Sequence, residues 1–116
     1  MAKLETTLHG DFRTVLEIIE NGILNGSMSA SLTDASDFFG HDGSRCSTMV
    51  FERYSYTGGN RLSLTVTMFQ GANDDTIHLS GIAAGGSQGL LFKINTFGEE
   101  AFLDKLRELL NVEFPD

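Results

Sequence analysis

The sequence predicts an α+β domain of two layers, an antiparallel meander sheet covered on one face by two helices, in the order β-α-β-β-β-β-β-α. Three observations predict it. Apolar residues recur at every second position through consecutive segments, turn-forming residues separate those segments at short intervals, and two stretches, one near each end, switch to helical spacing. Short connections leave consecutive strands no arrangement but antiparallel pairing, and two helices with one apolar stripe each need a sheet face to cover.

The first strand is "AKLETTL", with Leu4, Thr6 and Leu8 on one side and Lys3, Glu5 and Thr7 on the other. "GDFRTVLEIIENGILNG" follows as a helix whose stripe is Phe12, Val15, Leu16, Ile19 and Ile23. Asp11 is its N-cap and Asn25-Gly26 its stop, with the glycine expected in a left-handed cap. Gly22 weakens the last turn. "SMSASLTDASDFF" reads as the second strand and "HDGS" as the tight turn after it. "CSTMVFERYSY" and "RLSLTVTMF" are two strands meeting at Gly58-Gly59, "TIHLSGIA" is the next, and "GGSQG" turns the chain into a last strand, "LLFKI". The second helix opens at "TFGE", where Thr96 and Glu99 have capping-box spacing, and carries Phe102, Leu103, Leu106, Leu109 and Leu110 on one stripe.

Composition narrows the function classes. A chain of 116 residues suits a single domain, residues 1–116, and the absence of repeats and linkers agrees. The net charge of −8 repels phosphate backbones and anionic lipids, so neither nucleic acid nor membrane is an expected partner. No apolar run approaches the ~20 residues of a bilayer span, and "MAKLETTLHG" lacks the apolar stretch of a secretory signal, so the expected address is cytoplasmic. Cys46 is the only cysteine, which rules out an intrachain disulfide and a thiolate-rich zinc site.

The diglycine hairpin orients its side chains. Treated as a two-residue turn, Gly58-Gly59 sets Ser55 opposite Leu62, Arg53 opposite Leu64, Phe51 opposite Val66 and Met49 opposite Met68 on an apolar face. The other face pairs Tyr56 with Arg61, Tyr54 with Ser63, Glu52 with Thr65 and Val50 with Thr67. Arg53 thus falls among apolar residues, where a guanidinium either pairs with a carboxylate such as Asp34, snorkels to the sheet's end, or binds an anionic ligand in a groove between sheet and helices. The meander gathers Gly58-Gly59, Gly85 to Gly89 and the carboxyl ends of both helices at one end of the sheet, and the acidic loops at the other. The glycine-rich end, with Arg53, Ser55, Gly85, Gly86, Ser87 and Gln88, is the candidate pocket for an anionic small molecule.

Other motifs have ordinary explanations. "AAGGSQG" lacks the lysine of a P-loop and the spacing of a dinucleotide fingerprint. Ser87 matches G-x-S-x-G in letters, yet its loop joins two strands and not a strand to a helix. His9, His41 and His78 lack close metal-ligand spacing, and Asp34, Asp37, His41 and Asp42 form no calcium loop, so no metal and no cofactor are expected.

The segments "ERYSYTGGNRLSL", "GGSQG" and "FKINTFGEEAFLDKL" resemble those of a family of small uncharacterised bacterial proteins, a domain of unknown function. That resemblance implies a free-standing cytosolic bacterial protein and carries no catalytic residues. The element order is similar to TATA-binding-protein-like and Bet v1-like architectures, which bears on fold and not on function. The expected function is a non-enzymatic association domain. Its uncovered sheet face, with Val50, Tyr54, Tyr56, Arg61 and Phe69, meets a second copy or another protein, and the anionic-ligand pocket near Arg53 is the alternative. An enzyme is the weakest reading, since no acid, base and nucleophile can be placed together.

Overall fold

The computed structural model describes residues 2–26, 29–54, 61–85 and 102–110. Their elements are β1 (Ala2–His9), α1 (Phe12–Asn25), β2 (Ser31–Phe39), β3 (Arg45–Tyr54), β4 (Arg61–Gln70), β5 (Thr76–Gly85) and a second helix, α2, over 102–110. The five strands form one antiparallel sheet in the order β1-β5-β4-β3-β2. This is the α+β meander the sequence predicts. The expected last strand "LLFKI", the Thr96 capping box and the Gly58-Gly59 bend lie outside the described residues.

Alternation builds the layer. Met49 and Phe51 on β3, Leu62, Leu64, Val66 and Met68 on β4, and Ile77 and Leu79 on β5 are all buried on one face, while their sequence neighbours are half-buried or exposed. Against that face α1 lays Phe12, Val15, Ile19 and Ile23, and α2 lays Phe102, Leu103, Leu106 and Leu110. β1 and β2 are the two edges of the described sheet and run parallel, so α1 crosses the covered face from one edge to the other. β2 contributes only the partly buried Leu32 to the core and is otherwise almost entirely exposed. Its bulge between Leu32 and Asp34 interrupts the edge, as edge strands commonly do.

Two glycines let the helices sit close. A Cβ on Gly81 of β5 would stand 2.6 Å from Leu106 Cδ2 and 3.3 Å from Leu103 Cδ1 of α2. A Cβ on Gly22 of α1 would stand 2.4 Å from Leu109 Cδ2. Gly22 therefore does more than weaken a turn, because it makes the notch into which α2 packs.

Three expectations are corrected. The β3–β4 ladder pairs Tyr54 with Arg61, Arg53 with Leu62, Phe51 with Leu64 and Met49 with Val66, two positions away from the two-residue-turn register. Residues 55–60, which follow the Tyr54–Arg61 rung, lie outside the described residues. A shift of two leaves every side chain on its expected face, since only an odd slip reverses them. The observed register overlaps all ten residues of each strand and brings Arg61 beside both Tyr54 and Glu52. Second, Gly26 has φ −84° and ψ −6°, right-handed and not left-handed. Its N–H is shared between the carbonyls of Gly22 at 3.0 Å and Ile23 at 3.3 Å, which closes the last turn by tightening it. Third, α2 runs antiparallel to α1: Phe102 lies over Arg53 at the glycine-rich end, and Leu109 meets Gly22 further along. The carboxyl ends of the two helices are therefore not together.

The start of α1 is as expected. Asp11 accepts hydrogen bonds from the Thr14 N–H at 3.0 Å and the Thr14 hydroxyl at 2.9 Å. Among the described residues no helix is long and apolar enough to cross a membrane.

Replacing Gly81 with Val should lower stability by ~1–3 kcal/mol through overpacking against the fully buried Leu106, read as a lower urea midpoint at unchanged slope. An unchanged midpoint would show that α2 does not depend on this contact. Hydrogen bonds from Thr14, its hydroxyl first and its backbone N–H second, hold the Asp11 carboxyl below the ordinary 3.8. Stabilisation from a carboxylate depressed in the folded state is complete above its unfolded value and disappears as pH falls through the folded value. The Tm difference between wild type and Asp11→Ala should thus be full at pH 6 and shrink below about pH 4, the ordinary carboxylate range. A difference that persists at pH 2, below that range, would contradict a charged cap.

Candidate functional site

With both helices on one side, the opposite side of the sheet has no described element over it. Its side chains follow from alternation and register, and they form rows across the strands. One row is Phe38, Cys46, Phe69, His78 and Thr7, and the next is Ser36, Thr48, Thr67, Ser80 and Glu5. Then come Asp34, Val50, Thr65, Ile82 and Lys3, and the glycine-rich end closes with Tyr54 beside Arg61. Phe38 is 66% exposed, Tyr54 54% and Phe69 45%. Of the expected interaction-face residues, Val50, Tyr54, Arg61 and Phe69 share this face, and Tyr56 lies outside the described residues.

Arg61 organises the glycine-rich end of the face. Its Nη2 donates to Tyr54 Oη at 3.1 Å, its guanidinium carbon lies 5.6 Å from the Tyr54 ring centre, and its Nη1 is 3.7 Å from Glu52 Oε1. The Tyr54 hydroxyl, followed by the electrostatic effect of Tyr54 and then of Glu52, raises the Arg61 pKa above its usual value. Tyr54, and not Tyr56, is therefore the cross-strand partner of Arg61. At the other end Phe69 and His78 are neighbouring rings, 6.4 Å apart and tilted by 40°. The row next to them is four hydroxyls and a carboxylate, Ser36, Thr48, Thr67, Ser80 and Glu5, with Thr48 Oγ1 3.5 Å from Thr67 Oγ1.

Arg53 lies on the opposite, helix-covered face, as its parity requires. It is 8% exposed, and its guanidinium carbon is 4.5 Å from the centre of the Phe102 ring, so it ties α2 to β3. The hollow beside it, lined by Ser29, Ser31, Glu52, Arg53, Tyr54 and Arg61, holds about 60 Å³. A neighbouring one of about 180 Å³ includes Arg61, Ser63 and Gly85. Ser55, Gly86, Ser87 and Gln88 lie outside the described residues.

A second arginine, Arg45, does a similar job at the other end of β3. Its guanidinium carbon sits 4.6 Å from the Phe12 ring centre and 4.8 Å from that of Phe39, joining the start of α1 to the end of β2. No sequence signal indicates this sandwich, since Phe12 lies far along the chain from Phe39 and Arg45. The acidic residues nearby serve turns and edges. Asp42 Oδ1 accepts from the Ser44 N–H at 2.9 Å and hydroxyl at 2.6 Å, bonds that lower its pKa with the hydroxyl as the larger cause. Gly43, at φ +98°, lets that turn close. Asp34 accepts from the Ala35 N–H at 2.8 Å, and Asp37 accepts from the Ser47 hydroxyl. No group of three His, Cys, Asp or Glu suited to a metal occurs among the described residues.

Arg53→Ala should cost ~2 kcal/mol or more, because it removes both the packed stem and the cation held over Phe102. Chemical denaturation measures this, and a loss under ~0.5 kcal/mol, the scale of ordinary surface substitutions, would show that Arg53 does not hold α2.

No curated protein and no solved structure matches this chain. A family match extends over residues 1–113, nearly the whole chain and every element of the sheet described above. By that match the chain belongs to DUF6054, a family of unknown function.

Proposed function

We propose that this domain is a cytoplasmic association module whose uncovered sheet face docks the same face of a second copy. The observation that carries this reading is the charge on that face. Its described formal charges are Lys3, Arg61, Glu5, Glu52 and Asp34, two positive and three negative, a net of −1 on a chain of −8. Both cations already face carboxylates on the same face, Lys3 with Glu5 at 3.5 Å and Arg61 with Glu52 at 3.7 Å. Long-range repulsion between two acidic copies is therefore weakest when these faces meet.

Size supports the same occupant. Five strands of eight to ten residues present roughly 700 Å² of sheet, near the ~800 Å² per partner of a standard interface. Phe69, Tyr54, Val50 and Ile82 supply apolar area, and two sheets can stack face to face about 10 Å apart. A two-fold arrangement closes the assembly at two copies.

The second reading, a small anionic ligand at the glycine-rich end, draws on Arg61 and Gly85 beside the hollow of about 180 Å³. That volume is below the ~300 Å³ at which ligand pockets usually begin, and Arg53 is occupied with Phe102, so association is the favoured reading.

Light scattering should give twice the 12.6 kDa chain mass at high protein concentration. Val50→Glu, which sets a carboxylate beside Asp34 at the centre of the face, should return it to a monomer with an unchanged circular dichroism spectrum. Phe69→Ser should weaken pairing as well, whereas His41→Glu in the β2–β3 turn should not. A wild type that stays monomeric, or a Val50→Glu chain that stays dimeric, would overturn the reading.

A further inference from the structure

We infer that the β1 side of the uncovered face holds a binding site for a small organic cation carrying an aromatic ring. A hollow of about 390 Å³ opens there, across β1, β5 and β4, and it lies in the size range of small-molecule sites. Two adjacent rows make it. One is Thr67, Ser80 and Glu5, two short hydroxyl side chains and a carboxylate; the other is Phe69, His78 and Thr7, which puts two rings beside the depression. The small side chains of the first row make the space, and the tilted Phe69–His78 pair bounds it.

The chemistry of this lining selects the ligand. Glu5 is its only formally charged group, so an incoming cation finds a carboxylate and an incoming anion finds none of the arginines. Arg61 is bonded to Tyr54 at the far end of β4, and Arg45 and Arg53 lie on the other face. A phenyl face attracts a cation and stacks with a flat ring, and the hydroxyls of Thr7, Thr67 and Ser80 accept the N–H donors of an ammonium or amidinium group. The Lys3 ammonium, 3.5 Å from Glu5 and exposed at the rim, is the cation that such a ligand displaces from the carboxylate. The net charge of −8 draws cations to the whole molecule and raises their local concentration.

The hollow lies on the face proposed above to pair, where a second copy would cover it, so its test is run at the dilution where light scattering reports monomers. Benzylammonium is titrated into the protein while backbone amide shifts are followed by NMR, with benzoate as the same-sized anion. The expected result is saturable movement of the Thr67, His78 and Ser80 amides by benzylammonium at millimolar concentration and no such movement by benzoate. Glu5→Gln, a change at an exposed side chain, should weaken binding roughly tenfold, and Ser80→Phe, which fills the hollow, should abolish it. No saturable movement of these amides, equal responses to the two probes, or wild-type affinity in a folded Glu5→Gln protein would each overturn the assignment.

Discussion

The constraint on which the rest depends is the need of one sheet face to leave water. β3, β4 and β5 each present an apolar side chain at nearly every second position, and burying that face is worth ~1.5–3 kcal/mol for each large side chain. Neither helix covers it alone: α1 crosses it from edge to edge, and α2 fills the remainder with Phe102, Leu103, Leu106 and Leu110. Both cation–aromatic contacts that tie a helix to the sheet, Arg53 with Phe102 and Arg45 with Phe12, lie at the two ends of β3 on this covered side. They extend the apolar layer to its margins, where the long arginine stems remain packed and the charged heads lie over rings.

The other face is the complement of that arrangement. Every residue that alternation excludes from the core must stand on it, and here these are threonines, serines, a few rings and internally matched charges. Threonine and valine suit a pleated surface with neighbours on both sides, so cross-strand pairs support the central rows where no described element lies over them. This composition is what the proposed pairing relies on: the face is apolar enough to gain from being covered and polar enough to stand in water.

Much of this was legible in the chain. Periodicity of two and of 3.6 locates α1, its Asp11 cap and the five described strands, and parity assigns Val50, Tyr54, Arg61 and Phe69 to one face and Arg53 to the other. Register is not legible, because Met49, Phe51, Leu62, Leu64 and Val66 satisfy the same alternation in either of two pairings and a diglycine does not by itself set where a bend falls. The direction of α2 is not legible either, because an apolar stripe fits a sheet face in both directions. Gly81 reads as a defect in "TIHLSGIA" until the Leu106 side chain that occupies its place is known. The hollow at Glu5, Thr67 and His78 joins β1 to the β4–β5 pair, far from it in sequence, and the pairing of β1 with β5 brings its parts together.

The two glycine notches also limit how the molecule can move. Leu106 seats against β5 and Leu109, one turn further, seats against α1, so the helix is keyed at two points to two different supports. Sliding along its axis would drive both leucines into backbone at once, and rolling would free one only by jamming the other. The motion left to it is to lift off as a unit, which makes its undocking an all-or-none event and opens the oily layer beneath in a single step.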